Sequence, residues 1–187
     1  MIRFPFRELK AAQAAAHVLK LHGNEMYYLL LIKLLYLADR QALVERGLPI
    51  TGDRLVSMDW GPVLSEIVDL LTMEPEPGAD GRAWREYVSE PAKYKVKGQK
   101  DDPEVGELSD YEIAILDQID TEFGSMDRFE LSNLTHDLPE WRDPQGSSQP
   151  IDPADILRHV GKTPEEIAEI ADAAEQLAFM RKVLAIN

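Results

Sequence analysis

Leu29-Leu30-Leu31-Ile32-Lys33-Leu34-Leu35-Tyr36-Leu37-Ala38-Asp39-Arg40 decides the fold of this chain. It leads to Gly47-Leu48-Pro49-Ile50 and then to Met58-Asp59-Trp60-Gly61-Pro62-Val63-Leu64-Ser65. Leu30, Leu31, Leu34, Leu35, Ala38 and Ala42 recur at helical spacing, and Leu29, Ile32 and Leu37 widen the apolar face. A helix apolar over so much of its circumference is expected at the centre of a fold. The spacing predicts it over Glu25–Glu45, with Gly47 as its stop. Nothing between the two glycine-proline segments offers obvious chemistry, so the block points to a structural or interaction role.

On its N-terminal side, the alanines of residues 7–22 predict a helix stopped by Gly23-Asn24. On the C-terminal side, Leu55–Met58 reads as a short strand. Gly61-Pro62 reads as the start of a helix with proline in its first turn, buried through Val63, Leu64, Ile67, Leu70 and Leu71. Glu74 to Gly81 reads as an exposed loop, and Tyr87-Val88 with Tyr94-Lys95-Val96 as the arms of a hairpin around Pro91. After a polar linker, Ser109 and Glu112 form a capping box opening a helix with Ile113, Leu116, Ile119 and Phe123 inward. A short helix follows over 127–135, with Phe129, Leu131 and Leu134 inward. Asp152-Pro153 opens another that ends near Gly161. Thr163 and Glu166 cap the last, expected to bury Ile167, Ile170, Ala171, Ala174, Leu177, Ala178 and Leu184. The expectation is a mainly α, single globular helical domain with a small β-hairpin or short antiparallel sheet.

Composition narrows the function classes. The chain has 187 residues, 44% hydrophobic and 29% charged, the balance of a soluble globular protein. It has no cysteine, which excludes disulfides and thiolate metal sites. The start lacks a secretory apolar core, and the longest apolar run is far short of the ~20 residues of a membrane span. A cytoplasmic protein is expected. The formal charge is −14 and divides unevenly: residues 1–100 carry 14 Lys/Arg against 13 Asp/Glu, residues 101–187 carry 6 against 21. An acidic half repels phosphate backbones and would attract a basic protein, although acidic helix faces also serve solubility alone.

Catalytic constellations are weak. His136 and Glu140 lie four apart, but Pro139 interrupts any helix joining them. His17 and His22 fall on different sides of their helix, and His159 sits where a helix C-terminus favours a cation. There is no phosphate loop or nucleophile elbow, and no paired carboxylates in an apolar setting. Neither an enzyme, a metal site nor a cofactor is expected. The 109–135 helical hairpin has the outline of a helix-turn-helix, and a DNA-binding transcriptional regulator is the alternative reading. Its second helix, however, sets only Arg128 and Asn133 among acids. Lys93-Tyr94-Lys95-Val96-Lys97, read as a strand, puts three lysines on one face, as an edge strand does to block pairing. Tyr36, Asp39, Arg40, Trp60, Thr135, His136 and Trp141 each sit near an element end and could converge, either as a core network or as a partner-binding surface.

Five segments, in order, resemble the Panacea domain, a family of bacterial and phage-encoded antitoxins. They are Lys33–Arg40, Gly47–Asp53, Trp60–Ser65, Trp84–Pro91, and Leu131–His136 with Trp141. The resemblance covers about residues 10–145, so residues 1–145 are expected as the Panacea-like domain and 146–187 as a helical extension packed on it. It implies an antitoxin that neutralises a cognate protein toxin by direct binding, or an adaptor like the SocA-like antitoxin that delivers its toxin to the ClpXP protease. Phage-associated GepA-like proteins belong to the same family. The family has no catalytic residues to carry over. Many members read Tyr-Gly-Pro or His-Gly-Pro where this chain has Trp60-Gly61-Pro62.

Overall fold

Helix α2 (Tyr28–Arg46) forms the axis on which the rest is assembled, in a computed structural model that describes residues 1–72 and 80–184. Twelve of its residues are buried, from Leu30 to Leu43. Its apolar face is too broad to be covered by one neighbour. Gly47 closes it in the left-handed conformation at φ 70°. The first three residues assigned to this helix from sequence, Glu25–Tyr27, instead form strand β1. A helix of alanines, α1 (Glu8–Leu21), precedes them. Its small side chains Ala11, Ala12, Ala14 and Ala15 are fully buried, so neighbouring backbones approach closely.

Strand β2 (Leu55–Met58) agrees with the sequence reading, but the helix expected from Gly61 does not begin there. Gly61–Leu64 is strand β3, antiparallel to β2 with Leu55 opposite Leu64 and Met58 opposite Gly61. Pro62 and the apolar pair Val63-Leu64 fit either period, and pairing with β2 decides for the strand. Helix α3 (Ser65–Thr72) starts only afterwards, capped by Asp53, which accepts from Glu66 N and Ile67 N. The expected loop at Glu74–Gly81 lies mostly outside the described residues.

The expected hairpin around Pro91 is also redrawn. Arg82–Tyr87 is helix α4, and β4 (Lys95–Lys97) takes β1 as its main partner, with a single bridge from Val88 to Gly98. Lys93 and Tyr94 are not strand residues. They form the tip of a tight turn at φ 52° and 65°, closed by hydrogen bonds between Ala92 and Lys95 in both directions. Lys95 and Lys97 clasp Glu25 across the β1–β4 pair.

Helix α5 (Asp110–Phe123) carries both arms of the predicted capping box. Its buried face is Ile115, Leu116 and Ile119, with Ile113 and Phe123 only partly covered. Glu112 does more than cap: its other oxygen binds Lys10 of α1 in a mostly buried ion pair, which ties the two helices together. In α6 (Arg128–His136) Leu131 is fully buried, but Phe129 is 44% exposed rather than inward. Strand β5 (Gln149–Pro150) adds to β2, and α7 (Pro153–His159) buries Ile156 and Leu157 against the core.

The last helix, α8 (Pro164–Leu184), has the expected cap from Thr163 and Glu166 but not the expected burial. Only Ala174 is buried; Ile167 and Ile170 pack partly on the core, Ala178 and Leu184 are exposed, and Ala171 and Leu177 lie in between. Helix accounts for 55% of the structure, in eight helices among the described residues, so the class is mainly α with short antiparallel sheets. No helix among these residues is long and apolar enough to cross a membrane.

Candidate functional site

The tight turn Asp59-Trp60 joins β2 to β3, and side chains from α2, from α6 and from the segment after α6 satisfy the backbone carbonyls around it. Trp141 Nε1 donates to Met58 O at 3.2 Å, and His136 Nε2 lies 3.2 Å from Asp59 O. Ser132 Oγ donates to Trp60 O at 2.6 Å, and Lys33 Nζ to Pro62 O at 2.8 Å. The imidazole packs edge-on against Trp141, with ring centroids 4.3 Å apart. Gly61 lies at φ 91°, and a Cβ there would come within 2.5 Å of Thr135 Oγ1 and 2.9 Å of Lys33 Nζ. Glycine is required at 61 for both reasons. The result is a rigid clamp on a turn whose outward side chain, Trp60, is 58% exposed.

Tyr36 and Arg40 meet a partner that the sequence reading weighs only against His136. Glu140, next to Trp141 in the chain, has a side chain with no exposure. Its Oε1 accepts from Tyr36 Oη at 2.9 Å and from Arg40 Nε at 2.6 Å. Burial, together with the Glu140 charge, holds the Tyr36 phenol well above its ordinary range. Of the seven candidates, Trp60, Thr135, His136 and Trp141 therefore converge on one turn, and Tyr36 and Arg40 join them through Glu140. Asp39 does not. It is turned to Thr51, accepting from its N at 3.0 Å and its Oγ1 at 2.5 Å, and so ties α2 to the segment after Gly47.

Asp39 is one of three buried charges with displaced ionisation, and the other two, Lys33 and Asp53, were not among the sequence candidates. Lys33, fully buried, has its ammonium pushed down to about 7 by desolvation. Burial pushes Asp39 up to about 7 and Asp53 up to about 8, against hydrogen bonds that favour the ionised forms. The carboxyls are raised in the fold, so their stabilisation is complete below the ordinary carboxylate range and is lost as pH rises through about 7 and 8. Lys33 is lowered, so its contribution is present above the ordinary lysine range and is lost as pH falls through about 7. From pH 5 to 7 both carboxyls act in the same direction and the thermal midpoint is expected to fall. Between 7 and 8 Asp53 and Lys33 oppose one another and the curve levels off. Melting curves at constant ionic strength check this, and a midpoint that rises from pH 5 to 7 would contradict it. The exposed acids held low by partners, such as Glu25 and Asp102, act below this window.

The 109–135 hairpin places α5 against α1 and α2, and α6 against α2 and β3. Arg128, one of its two base-reading candidates, is stacked over the rings of Tyr27 and Phe129. Among the described residues no three His, Cys, Asp or Glu side chains are grouped so as to hold a metal ion.

The family model for the antitoxin SocA-like, Panacea domain matches residues 31–142, more than half of the chain. That span begins within α2 and ends just past Trp141, so it contains all seven candidates and Glu140. No curated protein and no solved structure matches.

Proposed function

This chain belongs to the antitoxin SocA-like, Panacea-domain family, and from that premise we propose that it neutralises a cognate protein toxin by binding it directly, without enzymatic turnover. Family membership supports an antitoxin-type role in general. The observation that favours direct binding is the clamp at 58–62. Its polar groups are directed at the protein's own backbone and at Glu140, while one large aromatic, Trp60, is held outward on a turn that cannot move freely. A rigid, exposed aromatic is a typical anchor for a protein interface, because little conformational entropy remains to be lost on docking.

Co-expression of the chain with the protein encoded by the adjacent reading frame tests this reading. Growth should be restored and the two proteins should purify as a complex of fixed stoichiometry. A toxin that remains toxic and does not co-purify would overturn it. Measuring the toxin's lifetime with and without the host's ATP-dependent proteases separates blocking from delivery to proteolysis.

His136→Ala discriminates binding from catalysis. The imidazole supports the turn through Trp141 and Asp59 O, so its loss should lower stability by about 1 kcal/mol and leave neutralisation within a few-fold of the parent. Growth rescue and calorimetric melting check this. Neutralisation abolished, with melting and complex formation unchanged, would point to a reaction that depends on the imidazole.

A further inference from the structure

Beside the clamp, six residues from four parts of the chain line a cleft of about 380 Å³: Tyr28 and Leu29 at the start of α2, Trp60 on the β2–β3 turn, Tyr94 before β4, and Arg128 and Phe129 at the start of α6. Tyr28 packs on Tyr94 with centroids 6.3 Å apart, and Trp60 on Phe129 at 5.8 Å. Tyr94 is 71% exposed, and it occupies a left-handed position that costs a non-glycine residue free energy. Folding alone does not account for an aromatic presented in this way. Contiguous exposed aromatics in a concave site are characteristic of partner anchors.

Charge selects the partner's chemistry. Arg128 is held over the rings of Tyr27, at 3.8 Å, and Phe129, at 4.4 Å, which orients its planar guanidinium. Among the described residues it has no carboxylate partner. Glu25 is taken by Lys95 and Lys97, and Asp127 caps the helix by accepting from Phe129 N. Lys93, at the exposed turn beside Tyr94, is likewise without an ion pair among these residues. In a protein of net charge −14 the cleft is therefore lined by a cation, Arg128, that no carboxylate among the described residues pairs with. A stacked guanidinium with free in-plane donors suits a carboxylate, which it can bind through two parallel hydrogen bonds.

We propose that this cleft docks an acidic segment of the cognate toxin that carries a large apolar or aromatic side chain. The anchor side chain packs on the two aromatic pairs and a neighbouring carboxylate pairs with Arg128. This inference rests on the antitoxin reading above, since it names the surface through which that reading operates.

The test titrates the full chain with the purified protein encoded by the adjacent reading frame, in a catalytically inactivated form, by isothermal calorimetry. Trp60→Ala, Tyr94→Ala and Arg128→Glu are compared with the parent and with Phe179→Ala, an exposed apolar residue of α8 outside the cleft. Each cleft variant should weaken binding at least about tenfold, as for residues at the energetic centre of an interface. Arg128→Glu should do so more than Arg128→Ala, and Phe179→Ala should bind as the parent does. Melting curves show whether each variant is folded; Trp60 and Tyr94 are exposed and Arg128 is half-buried.

If the parent itself fails to bind the toxin, the antitoxin reading fails and this inference falls with it. If the parent binds and the cleft variants bind within twofold of it, the inference alone is overturned. Binding improved by Arg128→Glu would mean that the segment is basic. Two further probes can overturn it: a fluorescent single-stranded oligonucleotide that binds the parent but not Tyr94→Ala, and a dimer in sedimentation that Tyr94→Ala dissociates. The first makes the cleft a nucleobase platform, the second a contact with another copy of the chain.

Discussion

Replacing Glu140 by alanine is expected to cost about 3–5 kcal/mol, the range for removing one partner of a buried ion pair. The side chain is fully buried and receives two donors from α2, the Tyr36 hydroxyl and the Arg40 guanidinium. Without it Tyr36 is left with a buried hydroxyl and Arg40 with a largely buried cation, neither with a counterpart. The backbone just before Trp141 would also lose its tie to α2, and Trp141 donates to Met58 O in the clamp. Against a total stability of about 5–15 kcal/mol, this leaves a substantial unfolded population. Glu140→Gln keeps an acceptor and should cost less than half as much. Equilibrium urea unfolding measures both. The double change Arg40→Met with Glu140→Leu should recover part of the loss, because no charge is then left buried. A Glu140→Ala protein as stable as its parent would mean that the pair is solvated and the clamp is held from elsewhere.

Leu34→Ala and Leu35→Ala should each cost about 2–5 kcal/mol, through lost burial and the cavity left behind. Both side chains are 1% exposed on the central helix, where neighbours on several sides cannot all close onto a gap. Their effect on neutralisation should follow the folded population, with toxin affinity of the folded fraction unchanged. Thermal unfolding and calorimetric titration separate the two quantities. Unchanged unfolding midpoints in both variants would remove α2 from the centre of the fold. The contrast with the cleft variants is direct: those should lose affinity and keep their stability.

The elements legible from sequence are those whose signals are local. α2 declared itself by the width of its apolar face and its closing glycine. α5 and α8 declared themselves by capping boxes in which donor and acceptor lie three residues apart. The Panacea resemblance rested on five such local segments, and the family match over residues 31–142 contains all of them. β3 was misread as a helix because Gly61-Pro62-Val63-Leu64 suits either period. The residue that caps the following helix, Asp53, lies 13 positions before the first helical N–H that donates to it, too far to be read as a cap. The apolar spacing of α8 was read correctly as a stripe and wrongly as buried, since periodicity says which residues share a face but not what covers that face.

The candidate site divides in the same way. Trp60, Thr135, His136 and Trp141 were suspected from sequence because aromatic and polar residues stood at element ends. Their convergence on the 58–62 turn depends on α6 and residues 140–141 returning to β2 from some 80 positions away. Lys33 looked like an ordinary charge on a helix, and Glu140 was weighed only as a neighbour of His136. Composition and local spacing thus determined the helical class, the centrality of α2 and the caps of α5 and α8, and the resemblance of five segments pointed to the family. Tertiary structure alone decided which charges are buried and paired, that Asp39 belongs to Thr51 rather than to the clamp, and that Tyr28, Trp60, Tyr94, Arg128 and Phe129 share one cleft. The physical reason is that helix propensity and capping act over about four residues, whereas the desolvation of a charge and the exposure of an aromatic are set by whichever distant segment packs, or does not pack, against it.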